Sequence, residues 1–389
     1  MNDGAPPARF FLYGFYGHGN LGDDLLLRAV VEGIRRLRPG AGFIVRNQGP
    51  VTALDSLGPE IELTGIDRLM ADRSHGKLSR VLATLRAYGR YFRRCDWLVF
   101  GGGTVFHQRP TAAPLLLLLL VCLLARLSGL RIAALGVGVA DLRSGTARLL
   151  LRCIVFLTDL FAVRDVAALN ECRKAGAGDR VRLTGDLVYG LAPALRVAPT
   201  GNPSRSTPVL ALSLYPPALP ENQAGDQLLA ILSQAVAILL ERGWQVILLT
   251  FQAGSSTGGV GDEAVIARLS AGLAPTQRTQ VTRRSLTAGG AEIAEFFAGI
   301  DLHCGMRFHG HVLASLSGLP FVGLSHDNKI DEICRVFAMP CLALDRLSAA
   351  DLVAAIETAR SRKPDSGVLE TCIRQAAMNF EHFAAVMAG

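Results

Sequence analysis

Hydrophobic positions along this chain change period repeatedly. Short apolar runs alternate with longer stretches in which apolar residues recur every three to four positions. The first pattern predicts buried strands and the second amphipathic helices. In the N-terminal half, strands are expected at residues 10–13, 42–45, 97–100, 131–139 and 161–163. A helix is expected at 23–37, and another after Arg164 and Asp165. Residues 195–208 break the pattern with Pro199, Gly201, Pro203 and Pro208, which marks a linker. It then restarts, with strands at 209–214, 245–251, 302–305 and 320–324 and helices at 227–242, 262–272, 310–317 and 367–387. A Gly/Ser-rich loop is expected at 253–261.

Repeated strand–turn–helix units imply parallel sheets with helices on both faces. The expected architecture is α/β, with two Rossmann-like domains whose sheets face a cleft. Their bounds are 1–196 and 207–374, and a C-terminal helix at 375–389 is expected to pack back on the first domain. The chain has 389 residues, half of them hydrophobic, which is ample for two cores. Forty-one glycines suit tight strand-to-helix turns. Mean hydropathy is +0.32, so the core is large or some apolar surface meets a membrane or partner.

The net charge of +7 is moderate and fits an anionic substrate or an anionic membrane surface. Arginines cluster at 86–94 and 143–152. The first cluster also holds Tyr88, Tyr91 and Phe92, which raises a base-stacking platform. No nucleic-acid motif accompanies either cluster, and nucleic acid is not an expected partner. The eight cysteines are scattered without a C-x-x-C pair, which argues against a zinc site or a disulfide framework. Reduced core cysteines in a cytosolic protein are expected. Residues 1–9 are polar and do not read as a signal peptide. The leucine run at 115–124 is followed by Arg126 and Arg131, too short for a spanning helix. A buried helix is expected there, with contact to a membrane surface as the second reading.

Five segments carry candidate chemistry. Gly14 to Asp24 joins a strand to a helix, and Asn20, Asp23 and Asp24 either cap that helix or bind sugar hydroxyls. Gly17, Gly19 and Gly22 match a dinucleotide-loop spacing, but the next strand ends in Arg46 and Asn47 rather than in an acid. Gly101, Gly102 and Gly103 suggest a tight turn or a ligand packed against backbone. Arg164 stands at a strand end, where it either binds a carboxylate or phosphate or pairs with an acid. Cys304 to His311 places Arg307 and His309 at a helix N-terminus, which favours an anion. Acidic companions at metal-ligand spacing are lacking there, so neither a metal nor a cofactor is expected. Ser325 to Asp331 offers Lys329 for a phosphate, with Asp327 to orient it, or is a polar loop.

Taken in order, these motifs resemble the polysaccharide pyruvyl transferase family over residues 13–335. The resemblance implies a GT-B-like fold, with phosphoenolpyruvate as donor and a sugar of a cell-surface polysaccharide or its precursor as acceptor. It implies a cyclic pyruvate ketal as product. The first domain would take the acceptor and the second the donor. The family's Met-Arg-x-His pattern falls on Met306, Arg307, Phe308 and His309. It implies donor contact by Arg307 and Phe308, with His309 as catalytic acid. Arg164 would be a second donor arginine, beside Lys329. Asn20, Asp23, Asp24, Gly102 and Gly103 would form the acceptor side. A cytoplasmic setting is expected, associated with the inner membrane face if the acceptor is lipid-linked.

Five positions depart from the family pattern. Asp24 replaces a common Glu, and Gly136-Val137-Gly138 lacks an amide. His107 and Gln108 stand where an acid is common, Tyr215 where an Arg is common, and His326 where a Tyr is common. Two other readings therefore stand beside pyruvyl transfer: a nucleotide-sugar glycosyltransferase of similar architecture, and a non-catalytic protein of polysaccharide biosynthesis.

Overall fold

The computed structural model describes residues 8–47, 49, 57–58, 60–71, 76–196, 207–252 and 261–389. The polar N-terminus, most of the expected linker and most of the Gly/Ser-rich loop lie outside these residues. The chain folds into two compact units. One comprises Met1–His18, Asp23–Gly190 and Cys372–Gly389; the other comprises Gly19–Gly22 and Leu191–Thr371.

The strands of the first unit are β1 (Arg9–Tyr13), β2 (Gly42–Val45), β3 (Ile61–Leu63), β4 (Trp97–Gly101), β5 (Phe106–His107), β6 (Arg131–Val137), β7 (Val139–Ala140), β8 (Leu160–Val163) and β9 (Val181–Leu183). Its main sheet runs β3-β2-β1-β4-β6-β8-β9, all parallel, and β5 pairs with β7 separately. The strand expected to end at 139 stops at Val137, because Gly136 has φ 56° and the register shifts there.

The strands of the second unit are β10 (Val209–Ser213), β11 (Gln245–Thr250), β12 (Val281–Ser285), β13 (Leu302–Gly305), β14 (Phe321–Ser325) and β15 (Cys341–Ala343). They form a parallel sheet in the order β12-β11-β10-β13-β14-β15. Both units thus share the doubly wound order, which reverses between β1 and β4 in one and between β10 and β13 in the other. Ligands of such sheets sit at the carboxyl ends of the two strands flanking that reversal.

On one side of the first sheet pack helices Lys77–Phe92, Ala113–Leu127 and Gly145–Leu157. Their inner faces join Phe11, Leu98, Phe100 and Ile132 in one core. Helix Ala113–Leu127 corrects the expectation of a buried helix: Leu115, Leu118, Val121 and Cys122 are buried, but its other face is exposed. Tyr88 and Phe92 are buried against Phe11, so they offer no stacking platform to bases. The helix Ser366–Ala388 sends Phe383 between Phe10 and Trp97, with centroids 6.3 and 4.9 Å away.

Candidate functional site

The second unit's reversal point is built from β10 and β13. Ser213 lies beside Gly305 in register, and a Cβ at 305 would come within 2.2 Å of Ser213 Oγ, so glycine is required. The chain leaves β13 through Met306 and Arg307, and helix Phe308–Leu316 begins at once, two residues before the expected start. Arg307 sits at the helix N-cap in an extended conformation, and its carbonyl accepts from Gly310 N at 2.9 Å.

The guanidinium of Arg307 is buried and multiply held. Nε donates to Leu214 O at 3.0 Å, and Nη2 donates to Asp262 Oδ1 and to Gln252 Oε1 at 3.4 Å. Its flat face lies over the Tyr215 ring, 4.8 Å from the centroid. Asp262 is fully buried at the start of helix Asp262–Ala271. Its second oxygen accepts from Phe251 N at 2.9 Å and Gln252 N at 3.0 Å. Burial pushes this carboxyl above its ordinary range, opposed by Arg307 and the two amides. In sequence Asp262 reads only as a helix start; pairing across 45 residues leaves no local signal.

His309 packs on Gly22. A Cβ there would lie 2.1 Å from His309 Nδ1, so the third glycine of the N-terminal motif makes room for this imidazole. Asn20 positions that glycine. Its Oδ1 accepts from Gly22 N at 3.0 Å, and it bridges to Gln252 in antiparallel fashion. Leu21 N donates to Phe251 O at 2.8 Å. This capping starts the helix Leu21–Leu37 two residues before the expected position. Phe308 is half-buried, with its ring 5.2 Å from that of His309.

Below this turn lies a buried chain of polar groups with one consistent proton arrangement. His311 Nε2 faces the carbonyl of Gly305 at 3.0 Å, so it must donate. His311 Nδ1 then accepts from His303 Nδ1 at 3.2 Å, and His303 Nε2 accepts from Ser213 Oγ at 3.0 Å. Both imidazoles are therefore neutral. Burial lowers His311 to about 4 and His303 well below the ordinary range, where His311 adds to the effect. This pair ties β10, β13 and the following helix together beneath Arg307.

The loop after β14 completes the cluster. His326 stacks on Tyr215 with centroids 4.7 Å apart, and its Nε2 donates to Met306 O at 3.0 Å. Asp327 caps the helix Asn328–Val336 and pairs with Lys329 Nζ at 3.3 Å. Burial alone would raise the Asp327 carboxyl, but Lys329 and His326 outweigh it and hold it below the ordinary range. The segment is thus a capped helix start rather than a polar loop.

In the first unit, the reversal point carries the other glycine motifs. Gly102 and Gly103 have φ near 70° (68° and 70°), and a Cβ at 102 would lie 2.5 Å from Leu26. Tyr16 Oη donates to Gly101 O at 2.8 Å. Asp24 is buried and Asp23 half-buried, with Asp23 and Phe15 beside Gly103. His107 stacks on Phe15 at 6.4 Å, and its buried Nδ1 has no partner among the described residues. Burial, then Arg109, lowers its pKa, so it is neutral at pH 7. Arg164 is enclosed: Nε reaches Asp165 at 3.2 Å, Nη1 reaches Asp186 at 3.2 Å, and Nη2 reaches Thr104 at 3.4 Å. Burial works against its charge, but Asp186 and Asp165 outweigh it and push its pKa up. No group of three potential metal ligands occurs among the described residues.

No curated protein sequence matches the chain. Among solved structures it is similar to the UDP-GlcNAc 2-epimerase of Methanocaldococcus jannaschii, at 10% identity and TM-score 0.65, covering 98% of this chain and 99% of that one. It is also similar to the UDP-N-acetylglucosamine 2-epimerase of Rickettsia bellii, at 12% identity and TM-score 0.60, covering 98% and 96%. The UDP-GlcNAc 2-epimerase of Neisseria meningitidis follows at 8% identity and TM-score 0.58, covering 98% and 99%. At such identities the likeness is one of fold, the two-sheet GT-B-like architecture. The polysaccharide pyruvyl transferase family model matches residues 20–328, from the Asn20 cap to the start of the Lys329 helix. That span is well over half of the chain and holds both strands of the second unit's reversal point, and the chain belongs to the polysaccharide pyruvyl transferase family.

Proposed function

We propose that the chain transfers a pyruvyl group from phosphoenolpyruvate to a sugar of a cell-surface polysaccharide or its precursor, forming a ketal. The observation that carries this is the pairing of Arg307 and His309 on the first turn of helix Phe308–Leu316 at a sheet reversal point. A helix N-terminus, an arginine held flat on Tyr215 and Lys329 at the next strand end together suit a small, highly charged anion. Arg164, in the first unit, is paired with Asp165 and Asp186.

His309 as imidazolium gives its proton to the donor's methylene carbon, which becomes methyl, and C2 becomes electrophilic. One sugar hydroxyl adds to C2, and the C2–O bond to phosphate breaks. A second hydroxyl of the same sugar closes the ketal. The protons released by the hydroxyls restore His309 and protonate phosphate. In the first unit, Asp23, His107 and Phe15 offer the polar and aromatic groups a sugar ring requires.

The test is thermal stability with phosphoenolpyruvate and with a panel of nucleotide sugars. A ligand at 100 times its Kd adds about 2.7 kcal/mol. A shift with phosphoenolpyruvate that disappears in Arg307→Ala supports the donor site. A shift with a nucleotide sugar alone replaces this reading by a glycosyltransferase. In turnover assays, His309→Gln should lose roughly 10²–10⁴-fold in rate while still binding donor. Near-normal turnover would remove His309 from the role of acid.

A further inference from the structure

We infer that the outer face of helices Lys77–Phe92, Ala113–Leu127 and Gly145–Leu157 docks on an anionic lipid bilayer. Eight of the eleven exposed large hydrophobic side chains among the described residues lie on these three helices. On the middle helix, Leu116, Leu120, Leu123 and Leu127 recur at i, i+4, i+7 and i+11 and form one stripe. Leu127 is 86% exposed. The helix before it adds Leu78 and Leu82, and the helix after it adds Leu149 and Phe156. The three helices lie side by side on one side of the first sheet, with their inner faces in a single core. Their outer faces therefore form one surface.

The charge on this surface identifies its partner. The three helices contain no Asp or Glu. They present the exposed Arg86, Arg90 and Arg152. Arg152 and Arg180 lie over the exposed Phe156 ring, at 5.7 and 4.7 Å. Asp159, at the end of the third helix, is taken up by Arg126 at 2.8 Å. Leucines flanked by guanidiniums, on helices without carboxylates, match a bilayer boundary, where acyl chains lie beneath phosphates. A second copy meeting this face by two-fold symmetry would set arginines against arginines with no acid on these helices to neutralise them. The middle helix is only about 22 Å long and buries its inner face, so it lies on a membrane rather than crossing it. The inference stands independently of the proposed reaction.

The test uses the full chain and two sets of vesicles, phosphatidylcholine alone and phosphatidylcholine with phosphatidylglycerol in equal parts. The chain should sediment with the anionic vesicles and much less with the neutral ones, and added salt should release it. Leu120→Ser with Leu123→Ser should weaken this binding at least about tenfold with an unchanged thermal midpoint. Arg86→Gln with Arg152→Gln should cut the preference for anionic vesicles by roughly tenfold. Failure to sediment with anionic vesicles overturns the inference, as does equal binding by the parent and both variants. A dimer in solution that dissociates in the leucine variant, without vesicle binding, would reassign the face to self-association.

Discussion

At the scale of single residues, the site depends on two contacts that distance in sequence conceals. Gly22 leaves space for the His309 ring, and Asp262 holds the Arg307 guanidinium. Gly22→Ala should push His309 out of place with little loss of fold. A displacement of about 1 Å at a catalytic group costs on the order of 10²-fold. Turnover assays beside an unchanged thermal midpoint check this. Asp262→Asn leaves Arg307 buried without its counter-charge and should cost about 3 kcal/mol of stability. Denaturant unfolding measures that cost, and on the proposed reaction steady-state kinetics should show a raised KM for phosphoenolpyruvate with a smaller change in kcat. Two departures from the family pattern also meet here. Where Arg and Tyr are common, this chain has Tyr215 and His326, and the two rings stack on each other beside Arg307.

At the scale of elements, the turn from β13 into helix Phe308–Leu316 rests on the neutral His303–His311 pair. In the unfolded chain these histidines bind protons below about pH 6.5. In the folded chain they resist protonation until far lower pH, to about 4 for His311. The unfolded state therefore holds more protons between these limits. Stability is fully present above about pH 6.5 and falls as pH drops, by about 2 kcal/mol for His311 at pH 5, with His303 acting in the same direction. Unfolding curves at pH 7 and pH 5 should show this, and His311→Gln should reduce the slope. Most strands and long helices are legible from their periods, because parallel strands buried on both faces read as plain apolar runs. The edge strand β12 is not, since Val281 is followed by Thr-Arg-Arg-Ser and its side chains are exposed. Helix Asn328–Val336 is hidden because its polar first turn, capped by Asp327, looks like a loop. Of the candidate site, Arg307 and His309 are legible as costly polar residues in an apolar segment, and Lys329 as a cation after a strand. Asp262 is not, because an acid opening a helix is ordinary in sequence and only the fold brings Arg307 to it.

At the scale of the whole molecule, the first unit is completed by the last helix of the chain. Phe383 is fully buried between Phe10 and Trp97. Asn379 accepts from Thr184 Oγ1 at 2.8 Å and donates to Gly185 O at 3.0 Å. Phe383→Ala should therefore destabilise the protein by about 3–5 kcal/mol, although it lies in the C-terminal helix and far along the chain from β1 and β4. A lowered thermal midpoint with unaltered affinity for the proposed donor would match this placement.

The chain passes between its two units four times, after residues 18, 22, 190 and 371. Two of these passages fall inside the helices Leu21–Leu37 and Ser366–Ala388. A chimera of two homologous genes joined by one crossover within 197–206 would therefore inherit residue 22 from one parent and residue 309 from the other. It would keep room for the imidazole only where the first parent also carries glycine at 22.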